Sequence, residues 1–351
     1  MTSKQNDRLH RFGSWCIIGL LAGVVSCQAT QPDRAPPPSR GPAPTASALS
    51  LLTTDGFEKD HPEVFATIQG ALEFAQDRLP CDSGRVEVLV IGPDRPSAER
   101  LVRKLRPAET PDGPLDSDGQ HRLDQAMSGE GDFFLSGYLD PKDPFLQLVF
   151  ISPQIHDDAN PRAFGQIVVH EYTHVYQMSW LRGLPAWPDV TDAMGPAWYV
   201  EGMADYLSWC WACEEGWMGS RGETSPLHAE MDRRMDGALE LVRAHSPLVL
   251  EQSEGRSRED VGRELGPDSQ GPLFYWMGSW AIAWLVDLAG RDAVIDEFYR
   301  HLAERGWSQA FEQSFGMSTA EFHRRFRDFL ILPRAEQLAI LPPPSSEQHE
   351  Q

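Results

Sequence analysis

His170, Glu171 and His174 stand in the order H-E-x-x-H within the stretch Val168-Val169-His170-Glu171-Tyr172-Thr173-His174-Val175-Tyr176-Gln177. At about 100° per residue along a helix the two histidines fall one turn apart on the same side, so both imidazoles can reach one metal ion. Glu171 is rotated off that axis, where a carboxylate addresses a water molecule rather than the ion, the position of a general base. The segment must be helical for this to hold, and its composition agrees. Between Asn160 and Ser179 the one proline, Pro161, sits where a first helical turn accepts it. Phe164, Ile167, Val168, Val175 and Met178 recur at the spacing of a buried helix face.

A second helix follows a Trp/Pro-rich loop, in Pro196-Ala-Trp-Tyr-Val-Glu-Gly-Met-Ala-Asp-Tyr-Leu-Ser-Trp209. Glu201 and Asp205 stand at i and i+4 on one of its faces. His170-Glu171-x-x-His174 followed by Trp198-x-x-Glu201-Gly202-x-Ala204-Asp205-Tyr206 resembles the gluzincin zinc metallopeptidases of the peptidase MA clan, including the E-G-x-A-E/D-Y pattern of collagenase-like enzymes. The resemblance covers Asp132 to Leu207 specifically and the rest of the C-terminal half diffusely; the segment up to about Ser128 matches no known pattern. It implies that His170, His174 and Glu201 bind Zn2+, leaving a fourth tetrahedral position open, as in a catalytic rather than a structural site. It also implies that Asp205 accepts the N–H of a ligand histidine and fixes its tautomer. The plain alternatives are a solvated helix carboxylate for Glu201 and a surface acid for Asp205. Related enzymes carry a donor for the developing oxyanion on the helical lobe. Tyr275, opening a helix in Phe274-Tyr275-Trp276-Met277-Gly278, holds a similar place; the competing reading is a core tyrosine among Phe274, Trp276 and Trp280.

The chain begins with Lys4, Arg8 and Arg11, then an apolar run from Phe12 to Val25 that is short for a membrane span and suits a secretory signal. Val24-Val25-Ser26-Cys27 resembles a bacterial lipobox, which implies a lipidated Cys27 and a place in the cell envelope. Gln28 after the cysteine favours the outer membrane of a Gram-negative host, by the same resemblance. The expected organisation is a signal peptide over 1–26 and a Pro-rich tether over 27–50. An N-terminal α/β part of the zincin lobe over 51–155 and metal-site helices over 156–215 follow. A helical C-terminal lobe over 216–334 and a polar tail over 335–351 complete it. The fold class that the resemblance implies is α+β, a zincin-like two-lobed metallopeptidase with a small sheet beside the active-site helix followed by a helical C-terminal lobe. Strands are expected at Arg85–Gly92, Asp132–Leu139 and Phe145–Ser152, and the polar, breaker-rich stretch Glu254–Pro272 as a mobile loop.

The net charge of −21, from 31 basic and 52 acidic residues, argues against nucleic acid as a partner. After Cys16 and Cys27 are set aside, Cys81, Cys210 and Cys213 remain, and a disulfide within Cys210-Trp-Ala-Cys213 or to Cys81 is expected in preference to a metal site. His156, His228, His245 and His301 lie at no ligand spacing. The expectation is a zinc-dependent peptidase, lipid-anchored outside the cytoplasm, acting on peptide or protein substrates with Glu171 as general base. Its rivals are a catalytically silent, peptidase-like binding module and a zinc hydrolase of peptidoglycan amides.

Overall fold

The computed structural model describes residues 48–80, 85–91, 94–105, 124, 134–139, 144–151, 163–180, 194–218 and 225–343. The expected signal peptide, Cys27, most of the tether, Cys81, His156 and the last residues of the tail lie outside this set. The chain divides into two compact units, one of residues Met1–Ala66 and Pro80–Ala159, the other of Thr67–Leu79 and Asn160–Gln351.

The first unit holds four strands, β1 (Ala48–Thr53), β2 (Arg85–Ile91), β3 (Phe134–Leu139) and β4 (Pro144–Ile151), in the order β1-β2-β4-β3. β1 and β4 flank β2 in parallel, with Val88 aligned to Leu51 and to Leu148, and β3 returns antiparallel on β4. Helix α1 (Phe57–Asp60) follows β1 and α3 (Arg95–Leu105) follows β2, while α2 (Pro62–Arg78) begins in this unit and belongs from Thr67 on to the second. β1 corrects the expected tether, whose last residues already pair in the sheet.

The second unit carries the motif residues, and among its described residues it has no strand. It comprises α4 (Ala163–Ser179), α5 (Ala197–Glu214), α6 (Pro226–Ala244), α7 (Val249–Gln252), α8 (Arg258–Leu265), α9 (Gly278–Ala289), α10 (Phe298–Arg305), α11 (Trp307–Phe315), α12 (Thr319–Leu330) and α13 (Arg334–Leu338). π-helical turns at Gly271–Met277 and Ala293–Glu297 lead into α9 and α10. The expected α+β zincin, with a sheet beside the active-site helix, is therefore corrected: the body that holds H-E-x-x-H is all-helical. The reason lies in α4 and α5. Residues 168–179 of α4 and 198–208 of α5 are buried on every side, so each is a core helix that needs apolar cover all round, and helices supply it.

Glycine permits a close contact between two of these helices. A Cβ on Gly202 of α5 would lie 2.4 Å from the carbonyl carbon of Gly278, so α5 and the start of α9 meet backbone to backbone. An aromatic cluster closes the other side of α5, with Trp198 stacked on Phe322 at 5.2 Å and Tyr199 against Phe298 at 4.3 Å. Buried tyrosine hydroxyls reach the second π turn, Tyr199 donating to the Val294 carbonyl at 3.2 Å and Tyr176 to that of Ile295 at 3.1 Å. Arg258–Leu265 corrects the expected loop: Ser257 caps a helix there, its Oγ accepting from the Asp260 N–H at 3.1 Å. The expected polar tail is corrected as well, because α13 occupies its start and buries Gln337.

Candidate metal centre

α4 and α5 bring three ligand atoms together. His170 Nε2 and His174 Nε2 are 3.2 Å apart, and Glu201 Oε2 lies 3.5 Å from the first and 3.4 Å from the second. An ion bound at about 2.0–2.1 Å with tetrahedral angles sets its ligand atoms about 3.3–3.4 Å apart, so the triangle matches one face of such a site. Glu201 is 2 % exposed, and its Oε2 is buried without a hydrogen-bond partner. Such an atom is costly in a protein interior, and a cation there would satisfy it. His170, His174 and Glu201 form a buried group able to bind a metal ion, and among the described residues it is the one such cluster.

The electrostatics of the metal-free site follow from this crowding. Burial raises the Glu201 pKa, but Arg258 and the two imidazoles outweigh it and hold the carboxyl well below its ordinary value. Burial lowers that of His174, yet Glu201 and Glu171, with Gln177, bring it up to about 9. Glu171, next in sequence to His170, is 2 % exposed, and its Oε2 also lacks a hydrogen-bond partner.

Supporting groups surround the triangle. Gln177, on α4, accepts from His174 Nδ1 at 2.8 Å and donates to the Val200 carbonyl at 2.9 Å, tying α4 to α5 beside the ligands. The expected role of Asp205 is corrected. Its Oδ1 is 3.9 Å from His170 Nδ1, too long for a hydrogen bond, and its carboxylate is taken by Arg234 of α6 and Ser279 of α9. Arg234, buried at 5 %, also bonds Glu230 at 2.7 Å, so a buried ion-pair network joins three helices behind the site.

Tyr275 is brought to the site. Its ring stacks near His170, 6.0 Å between centroids at 26°, and its hydroxyl accepts from Arg258 at 3.1 Å. The neighbours of the core reading turn elsewhere, Trp276 toward Arg233 and Trp280 to the Met231 carbonyl at 2.9 Å. Arg258 of α8 also reaches Glu201 Oε1 at 3.3 Å. His228, His245 and His301 stand outside the group, His245 facing Ser269 at 3.3 Å.

The expected local disulfide is corrected too. Cys210 and Cys213 are free thiols, Cys210 buried and Cys213 half-buried. Burial pushes their pKa values up to about 12 and about 11, so neither is a ready nucleophile.

Gln177, Arg234 and Arg258 escaped the sequence reading. Gln177 had a signal, one turn beyond His174. Arg234 had a better one, because it interrupts the apolar stripe Leu227, Met231, Met235, Ala238 and Leu241 of α6. Arg258 had none, since only the tertiary fold brings α8 to α5.

Comparison of the chain with protein-family models, with curated proteins and with solved structures finds no match. What fold and site define is thus a helical unit with a buried group of two histidines and one carboxylate able to bind a metal ion. Among the described residues no helix is long and apolar enough to cross a membrane.

Proposed function

We propose that the chain is a zinc-dependent peptidase acting on peptide or protein substrates, held at the bacterial cell envelope by a lipid on Cys27. The observation that carries the reading is the triangle of His170 Nε2, His174 Nε2 and Glu201 Oε2, with edges of 3.2 to 3.5 Å and an unpartnered carboxylate oxygen at one corner. Two imidazoles and one carboxylate suit zinc better than calcium or magnesium, which prefer oxygen ligands throughout. The resemblance of the two helical motifs to gluzincin peptidases supports the same reading. The envelope location rests on the N-terminal sequence.

Bound zinc would lower the pKa of a water towards about 7 and polarise the scissile carbonyl. His170 and His174 act as neutral donors through Nε2, the second held in that tautomer by Gln177. Glu171 takes the proton of the attacking water on its unpartnered Oε2 and passes it to the leaving amine nitrogen. A silent binding module has no use for a buried carboxylate in that state. Tyr275, whose ring stacks near His170, is the candidate to donate its hydroxyl proton to the developing oxyanion, a contribution of roughly 2–4 kcal/mol.

Metal analysis of the full-length chain tests the reading. About one equivalent of zinc is expected in the wild type and strong loss in Glu201→Ala. Full occupancy in that variant would show that the third ligand is misassigned.

A further inference from the structure

We infer that Arg258 is a positioning residue that keeps Glu201 a one-oxygen ligand, so that a coordination position stays open for substrate. The inference rests on the metal reading above and deepens it. A carboxylate can give an ion one oxygen or two, and the second oxygen closes a position that hydrolysis needs. In Glu201 the two oxygens are already distinguished. Oε2 faces both imidazole nitrogens at 3.4 and 3.5 Å and has no hydrogen-bond partner. Oε1 is turned to Arg258 Nη1 at 3.3 Å.

The guanidinium is itself held in place. Its other terminal nitrogen, Nη2, donates to the Tyr275 hydroxyl at 3.1 Å, and its carbon lies 5.2 Å from the Phe274 ring centroid and 5.6 Å from that of Tyr275. Its planar fork therefore spans the metal carboxylate and the phenol stacked near His170, a geometry that a lysine ammonium reproduces on one branch only. α8 is anchored by the Ser257 cap and by buried Val261, so the arginine is delivered from a fixed element. One side chain thus sets the orientation of a metal ligand and of the tyrosine beside it.

Cobalt(II) titrated into the metal-free full-length chain reads this directly, because its visible absorption weakens when coordination rises above four. The wild type should give an intense four-coordinate spectrum. Arg258→Ala, which frees Oε1 to turn to the ion, should lose about twofold or more of that intensity. Arg258→Lys should recover most of it, having a cation for Oε1. Arg258→Gln, of similar size but neutral, takes the place of the alanine variant if that chain does not fold, with the same loss expected. Superimposable cobalt spectra for wild type and the neutral variant overturn the inference and leave the metal site standing. Failure of the wild type to take up cobalt or zinc overturns the metal reading, and the inference with it.

Discussion

Gln177 Oε1 accepts from His174 Nδ1 at 2.8 Å, and that contact decides which nitrogen of His174 faces Glu201. The same amide donates to the Val200 carbonyl, so the ligand's tautomer and the junction of α4 with α5 depend on one side chain. Gln177→Ala should weaken zinc binding about 10–100-fold, the usual cost of losing a partner behind a ligand histidine. Gln177→Glu keeps an acceptor for Nδ1 and should lose less. Competition titration against a chelator checks both. Unchanged affinity in the alanine variant would remove Gln177 from the site.

The metal-free site should be sensitive to pH in a definite direction. His174 has its pKa raised from 6.5 to about 9 in the folded chain: burial opposes the shift, and the neighbouring carboxylates drive it. The group therefore stabilises the metal-free fold fully below about pH 6.5, and this contribution is lost as the pH rises through about 9. Zinc requires the neutral imidazole, so its binding at pH 7 should displace about one proton from this residue. Calorimetric titration in buffers of different ionisation enthalpy measures that release. A binding enthalpy independent of buffer would contradict the assignment.

Asp205 should matter to the fold more than to the metal. It lies 3.9 Å from His170 but pairs directly with buried Arg234. Asp205→Ala leaves that guanidinium with Glu230 as its remaining carboxylate and should destabilise the chain by roughly 3 kcal/mol. Urea denaturation measures the loss. A drop in zinc affinity without loss of stability would restore the role expected from the sequence.

Much of this was legible beforehand, for physical reasons that differ from residue to residue. His170, His174, Glu171 and Glu201 announce themselves because helical geometry turns their spacing into proximity, and the resemblance pairs the two segments. Helix α4 showed in its apolar periodicity and in Pro161 at its start, and α5 in the stretch that begins at Pro196. β1 was hidden because Ala48–Thr53 follows a proline-rich run and pairs with β2 far along the chain. Arg258–Leu265 was hidden because its charges and nearby glycines resemble a loop, while its Ser257 cap went unnoticed. At the start of α12, Ser318 Oγ accepts from the Glu321 N–H, while the Glu321 carboxylate turns to Arg324 and Arg325. The sheet expected beside the metal helix was carried over from a family resemblance.

Gly202→Ala should be severe for a side chain so small. The added Cβ meets the Gly278 backbone at 2.4 Å, and neither helix can turn a side chain away to relieve it. Parting α5 from α9 should cost about 3 kcal/mol. Because Glu201 is the adjacent residue, zinc affinity should fall as well. Thermal denaturation with and without zinc reads both effects, and a wild-type melting curve would show that the two helices do not meet as described.

The central claim is that a metal held by His170, His174 and Glu201 works with Glu171 to hydrolyse peptide bonds. Peptide cleavage by zinc-loaded full-length chain, wild type beside Glu171→Gln, tests it most directly. The substitution keeps the shape of a side chain with a buried, unpartnered oxygen while removing its ability to take a proton. Against a mixed peptide library the wild type should cleave, and the variant should be slower by about 10²–10⁴-fold while retaining its zinc. A zinc-loaded wild type that cleaves nothing, or a variant that cleaves as fast, would contradict the account.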